Sequence, residues 1–212
     1  MWALSLLIRF INSRHLCAAA IAVSVCYTVW YLHFGNPAEA QGALSTIGLK
    51  HPVLFALWGA VTEAALFLNI RRMYVSCKYK NRWASAMLVL AALSILTTVL
   101  VPYEYRNLFF YITHCAGAIS FVIYNGAALL ILFVKYNRKS AVFRVTMYLT
   151  ITVLLSTLVL FAALGESGLL ETIPLFLAYV IVSLVNFTPL YRIRSVDPEF
   201  FMQEKKKNLV HK

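Results

Sequence analysis

The sequence predicts an all-α, polytopic membrane protein: a six-helix transmembrane bundle with both its N-terminus and its C-terminus cytoplasmic. Three observations carry that prediction. The 212 residues are 61% hydrophobic and only 13% charged, whereas a soluble domain is roughly half apolar and a quarter charged. Six apolar runs, each long enough to cross a hydrocarbon core, recur along the chain. Between them the cations alternate: of the 19 Lys and Arg, all but Lys50 and Arg106 fall in the N-terminal segment, the second and fourth loops and the tail. By the positive-inside rule those segments face the cytoplasm.

The elements follow in order. Residues 1–15 mix Trp2, Leu6, Phe10 and Ile11 with Arg9, Asn12 and Arg14, which reads as an interfacial lead-in anchored by Trp2. Ala38-Glu39-Ala40 before Gln41 resembles a signal-peptide cleavage site. The length of the preceding apolar stretch and the late position of its basic residues favour a first span instead. That span covers 16–34. A loop with little charge, Gly35 to His51, leads to span two over 52–70, opened by Pro52, which a first helical turn accepts. Arg71, Arg72, Lys78, Lys80 and Arg82 are assigned to a basic loop. Span three covers 83–101 and stops at Pro102. The four residues Tyr103 to Arg106 lead to span four, 108–134. A second basic loop holds Lys135, Arg138, Lys139 and Arg144. Span five covers 145–164 and span six 172–190, with Pro174 in its first turn. Residues 191–212 form a basic tail ending in Lys205-Lys206-Lys207 and beyond. One bundle fills the chain over 16–190, leaving no room for a separate soluble domain.

The net charge of +11 is a signature that nucleic-acid binding would share. Here the cations mark orientation and contact anionic headgroups, so no nucleic-acid partner is expected. The expected partners are membrane lipid and a protein partner or second copy. Cys17, Cys26, Cys77 and Cys115 lie in spans or on the cytoplasmic side, which argues against a structural disulfide. No CxxC pair, zinc-ligand spacing, phosphate-binding loop or nucleophile elbow occurs, so the sequence implies no metal, no cofactor and no catalytic set. The lack of outer disulfides and of accessible sequons fits a bacterial inner membrane better than a eukaryotic surface. Asn186-Phe187-Thr188 matches a sequon, but lies inside the end of a span.

A few residues stand out because lipid penalises them. Glu63 is the only acid within a predicted span. A charge there costs about 3 kcal/mol on insertion scales, so it must be protonated, paired or facing water. It reads either as a proton-titrating or substrate-contacting group, or as a protonated acid bonded across to a neighbouring helix. His114 and Asn125 share one face of span four with Ala118, Phe121 and Ala128. That face, flanked by Gly117 and Gly126, places span four at the centre of the bundle. His114 lies about a turn outward of Glu63 on this threading, within reach if the two spans are neighbours, and a Glu–His pair can move a proton. The alternative is a histidine satisfied by a backbone carbonyl. Asn125 and Asn186 read mainly as interhelical bond formers. Tyr124, deep in span four, is a candidate to line a lipid groove. His33, Glu39, His51, Glu104, Arg106, Glu166 and Glu171 gather at the outer face as solvated loop ends.

One stretch resembles a known family. Val101-Pro102-Tyr103-Glu104 closes span three. His114-x-x-Gly117-Ala118-x-x-Phe121 follows in span four, and Asn125-Gly126-Ala127-Ala128 comes next. The region from Thr97 to Leu132 thereby resembles the six-span proteins of the damage-regulated autophagy modulator (DRAM) family and related bacterial six-span families. The resemblance implies lipid handling or membrane organisation without a shared catalytic set, and marks His114 and Gly117. It does not extend to Glu63. The expectation is therefore a membrane protein that binds or organises lipid, as a regulatory or partner subunit. The alternative is a small proton-coupled transporter or channel using Glu63 and His114.

Overall fold

The computed structural model of the chain describes residues 11–191. The lead-in with Trp2 up to residue 10, and the tail from Arg192, lie outside the described residues. Among the described residues seven α-helices form: α1 (Arg14–Leu32), α2 (Leu44–Lys50), α3 (Pro52–Ser76), α4 (Arg82–Leu100), α5 (Leu108–Tyr136), α6 (Ala141–Leu164) and α7 (Gly168–Phe187). All but α2 are long and apolar enough to cross a membrane. The protein is an all-helical, integral, multi-pass membrane protein.

Local chemistry sets the helix starts, because the first N–H groups of a helix need acceptors from outside it. Ser13 Oγ accepts from Leu16 N at 3.2 Å, and Asn81 Oδ1 from Trp83 N at 2.7 Å and Ala84 N at 3.3 Å. Asn107 serves Phe109 and Phe110 in the same way, and Ser167 Oγ caps α7 through Leu170 N at 3.4 Å. Pro52 opens α3. Gly165, with φ +82°, ends α6 in a conformation that L side chains rarely adopt.

Helix continuity moves several expected boundaries. Span two runs on past Arg71 and Arg72 to Ser76. The Arg72 guanidinium stays partly covered and donates to the Asn12 carbonyl. Span six starts at Gly168, so Glu171 lies in its first turn and Pro174 a turn further in. The stretch Gly35–His51, expected as a loop, contains a 3-10 turn (Ala40–Gly42) and α2. A distant carboxylate holds α2 in place: Glu171 accepts from Leu44 N at 2.5 Å and from Ser45 Oγ at 3.4 Å.

The centre of the bundle is α3, not span four. It packs against α1, α2, α4, α5 and α7, and Leu66, Ile70 and Met73 on it are fully enclosed. Helix α5 lies closest to α4. Gly117 permits that approach: a Cβ there would stand 2.6 Å from Thr98 Oγ1 and 3.0 Å from the Ser94 carbonyl. In lipid such close backbone contact supplies the association that hydrophobic burial supplies in water. Helix α6 contrasts with both. Its buried residues, Phe143, Thr146, Met147 and Thr150, all lie in its first half, while Leu155, Leu158, Val159 and Leu164 are bare.

The two ends differ in chemistry. At one end the α3–α4 and α5–α6 connections carry Lys78, Lys80, Arg138 and Lys139, and Arg82 opens α4. At the other, Glu39, Glu104, Glu166 and Glu171 sit among the remaining connections and the first turn of α7.

Candidate functional site

Buried polar residues that involve α3 form three layers within the bundle. Nearest the acidic end, Trp58 Nε1 donates to Thr28 Oγ1 at 3.0 Å, and Thr28 donates to the Ser24 carbonyl at 2.8 Å. Ser24 Oγ then shares hydrogen bonds with Tyr179 of α7 at 2.5 Å and Thr62 of α3 at 3.3 Å. These bonds join α1, α3 and α7.

The middle layer joins α3 to α5. Asn125 Nδ2 donates to Glu63 Oε2 at 3.4 Å and to the Phe121 carbonyl one turn up its own helix at 3.2 Å. Glu63 is 8% exposed and Asn125 4%. Glu63 Oε1 and Asn125 Oδ1 are both buried without a partner. Tyr179 is near enough to Glu63 for the carboxyl to act on it electrostatically.

The third layer lies towards the basic end. Asn69 Nδ2 donates to the Cys17 carbonyl of α1 at 3.0 Å and to the Ala65 carbonyl at 2.9 Å. Asn186 Nδ2 of α7 donates to the Asn69 carbonyl at 3.0 Å and to its side-chain oxygen at 3.3 Å. Below it, Tyr74 Oη donates to the Ala128 carbonyl of α5 at 2.9 Å.

His114 stands apart from these layers. Its Nδ1 bonds the Val101 carbonyl at 2.7 Å, and its ring lies 6.0 Å from Phe55 and 5.1 Å from Tyr103, centroid to centroid. Phe55 precedes Glu63 by two helical turns, about 12 Å along the axis, and Asn125 follows His114 by about 16 Å. Glu63 therefore meets Asn125, and of the two alternatives for His114 the structure has the histidine bonded to a backbone carbonyl rather than paired with Glu63. A carbonyl only accepts, so Nδ1 carries the proton of the neutral ring and Nε2, buried and unpartnered, presents a lone pair. Tyr124 lies half-buried against the apolar core.

Above His114 is a second cluster. The hydroxyls of Tyr103 and Tyr105 bond each other and both reach Glu166 Oε1, Tyr105 at 2.6 Å. Burial, then the bond to Glu166, push the Tyr103 phenol above its ordinary range. Glu166 and Glu171 are thus internal ties rather than solvated loop ends. Among the described residues no three His, Cys, Asp or Glu side chains converge on a point that holds a metal ion.

Protein-family profiles, curated proteins and solved structures give no match to this chain.

Two surface features complete the geometry. At the basic end, Tyr136 Oη donates to the Cys77 carbonyl at 3.1 Å, and Tyr79 packs between Tyr74 and Tyr136 with centroids 5.7 and 5.9 Å away. Lys135 Nζ lies 5.9 Å from the Tyr79 ring centre and Lys139 Nζ 5.9 Å from that of Tyr136. The two basic connections are thereby fastened into one surface. Along α1, Ala22, Val23, Cys26, Tyr27 and Trp30 form an outward-facing, open apolar surface.

Asn69 lies in the last turn of the expected span two, where a polar residue beside Arg71 and Arg72 reads as part of the span's polar boundary. Its bonds to α1 and α7 arise only when the three helices pack. Ser24, Thr62 and Tyr179 carry no signal in sequence, since each is common in lipid-spanning helices and gains its role from the other two.

Proposed function

We propose that this protein binds and organises anionic phospholipid without catalysing a reaction, with its basic end at the cytoplasmic face of a bacterial inner membrane. The fastened basic surface carries this reading. Lys135, Arg138, Lys139, Lys80 and Arg82 are exposed there, and among the described residues this end holds no acid to compete with a phosphate. Each such cation near a membrane surface contributes about 1 kcal/mol of attraction to anionic headgroups. Tyr79 and Tyr136 hold the connections at fixed spacing, so a headgroup meets a preformed array of cations rather than two independent loops. The resemblance of Thr97–Leu132 to the DRAM group points in the same direction, towards a membrane-organising role as a partner subunit or a second copy.

The test is to purify the protein gently and identify retained lipids by mass spectrometry. Enrichment of anionic over zwitterionic phospholipid is expected, with loss of that enrichment when Lys135, Arg138 and Lys139 are together changed to Gln. A retained-lipid profile equal to the bulk membrane, or unchanged by the triple substitution, overturns the reading.

A second reading, a small proton-coupled transporter, is favoured by the unpartnered oxygens of Glu63 and Asn125 at mid-bundle. It requires a pH-gradient-driven flux in proteoliposomes that Glu63→Gln abolishes.

A further inference from the structure

We propose that Glu63 binds one proton on Oε1 and donates it to Asn125 Oδ1, forming a reciprocal acid–amide pair that latches α3 to α5. This inference does not depend on the lipid reading.

The argument starts from the amide. Asn125 Nδ2 has two hydrogens, and the structure gives both an acceptor: the Phe121 carbonyl and Glu63 Oε2. Flipping the amide would set Oδ1 against the Phe121 carbonyl, acceptor against acceptor, so the orientation is fixed. Oδ1 then needs a donor. The carboxylate has the mirror-image deficit: Oε2 is served by Nδ2, while Oε1 has no partner. An ionised carboxylate only accepts and leaves both oxygens orphaned in a water-poor interior. A single proton on Oε1 makes that atom a donor and removes both deficits at once. The amide N–H then serves the acid carbonyl, and the acid O–H serves the amide carbonyl.

The surroundings agree. No cation acts on Glu63 among the described residues, so nothing there compensates a buried negative charge. The titratable group that faces it is Tyr179, on α7, already engaged with Ser24. Helices α3 and α5 meet at few points compared with α4 and α5, and the bonds of Tyr74 to Ala128 and of Tyr136 to Cys77 lie towards the basic end, so this pair is the polar link between them at mid-bundle. The bound proton thus contributes to the architecture of the mid-bundle.

Infrared spectra of the full chain in bilayers at neutral pH, with isotope-labelled glutamate, test this directly. The expected result is a carbonyl band of a hydrogen-bonded carboxylic acid that is lost in Glu63→Gln. Gln supplies the same donor and acceptor without a proton, so Glu63→Gln is expected to keep the wild-type melting midpoint. Asn125→Leu is expected to retain the acid band but shift it towards that of an unbonded acid. This variant keeps the proposal testable if Glu63→Gln does not fold. Absence of an acid band assignable to Glu63, or an Asn125→Leu band at the wild-type frequency, overturns the proposal.

Discussion

Asn186 of α7 donates to the backbone carbonyl of Asn69 on α3 at 3.0 Å, while the Asn69 amide reaches the Cys17 carbonyl of α1 at 3.0 Å. Asn69 is thus the junction of three helices and Asn186 a branch from it. Asn69→Leu is expected to cost about 1–2 kcal/mol and Asn186→Leu about half that, by the usual size of hydrogen bonds inside membranes. Unfolding in mixed micelles measures both. Equal or inverted costs would show that the junction lies elsewhere.

Two glycines on α5 should respond differently to a methyl group. At Gly117 the added Cβ meets Thr98 Oγ1 and the Ser94 backbone carbonyl at 2.6 and 3.0 Å, and the backbone cannot step aside. At Gly126 it meets the tip of Leu154 at 2.9 Å, which can rotate. Gly117→Ala is expected to destabilise by about 1–3 kcal/mol, as overpacking does, and Gly126→Ala by less than about 1 kcal/mol. Thermal denaturation of the two variants in one detergent checks the order.

Glu171 holds the start of α2 from another helix. Glu171→Ala removes acceptors from Leu44 N and Ser45 Oγ, and about 1 kcal/mol of capping with them. Hydrogen exchange at Leu44 to Ile47 should accelerate while exchange in α3 stays as it was. Slow exchange in α2 after the substitution would mean that packing alone maintains it.

Tyr103 gives a dependence on alkaline pH. Its phenol is raised by burial and by the Glu166 carboxylate, so the folded state holds the proton more tightly than the unfolded state. The resulting stability is fully present below the ordinary tyrosine value near 10. It is lost as pH rises through the folded value. Glu166→Gln removes one cause, so Tyr103 should then ionise at lower pH. Phenolate absorbance, taken as the difference from Tyr103→Phe, reads this directly. An unmoved titration would separate Glu166 from the effect.

Hydropathy and charge placement by themselves determined the membrane setting, the six spans and the segregation of cations to one end. These are properties of each segment against its solvent, and no partner is needed to read them. The same local logic located Glu63, His114, Asn125 and Asn186, because lipid makes any polar residue conspicuous. Tertiary structure alone decided their pairings. The chain order left His114 open between Glu63 and a backbone carbonyl; the register of α3 against α5 matches Glu63 with Asn125 and leaves His114 on the Val101 carbonyl two turns away. It also made α3 the hub, continued that helix past two arginines, gave Asn69 its partners on α1 and α7, and turned Glu166 and Glu171 from loop acids into internal ties. Partner choice for a buried polar group depends on the rotation and depth of neighbouring helices, which close contacts such as Gly117 on Thr98 set, and those quantities exist only once the helices have packed.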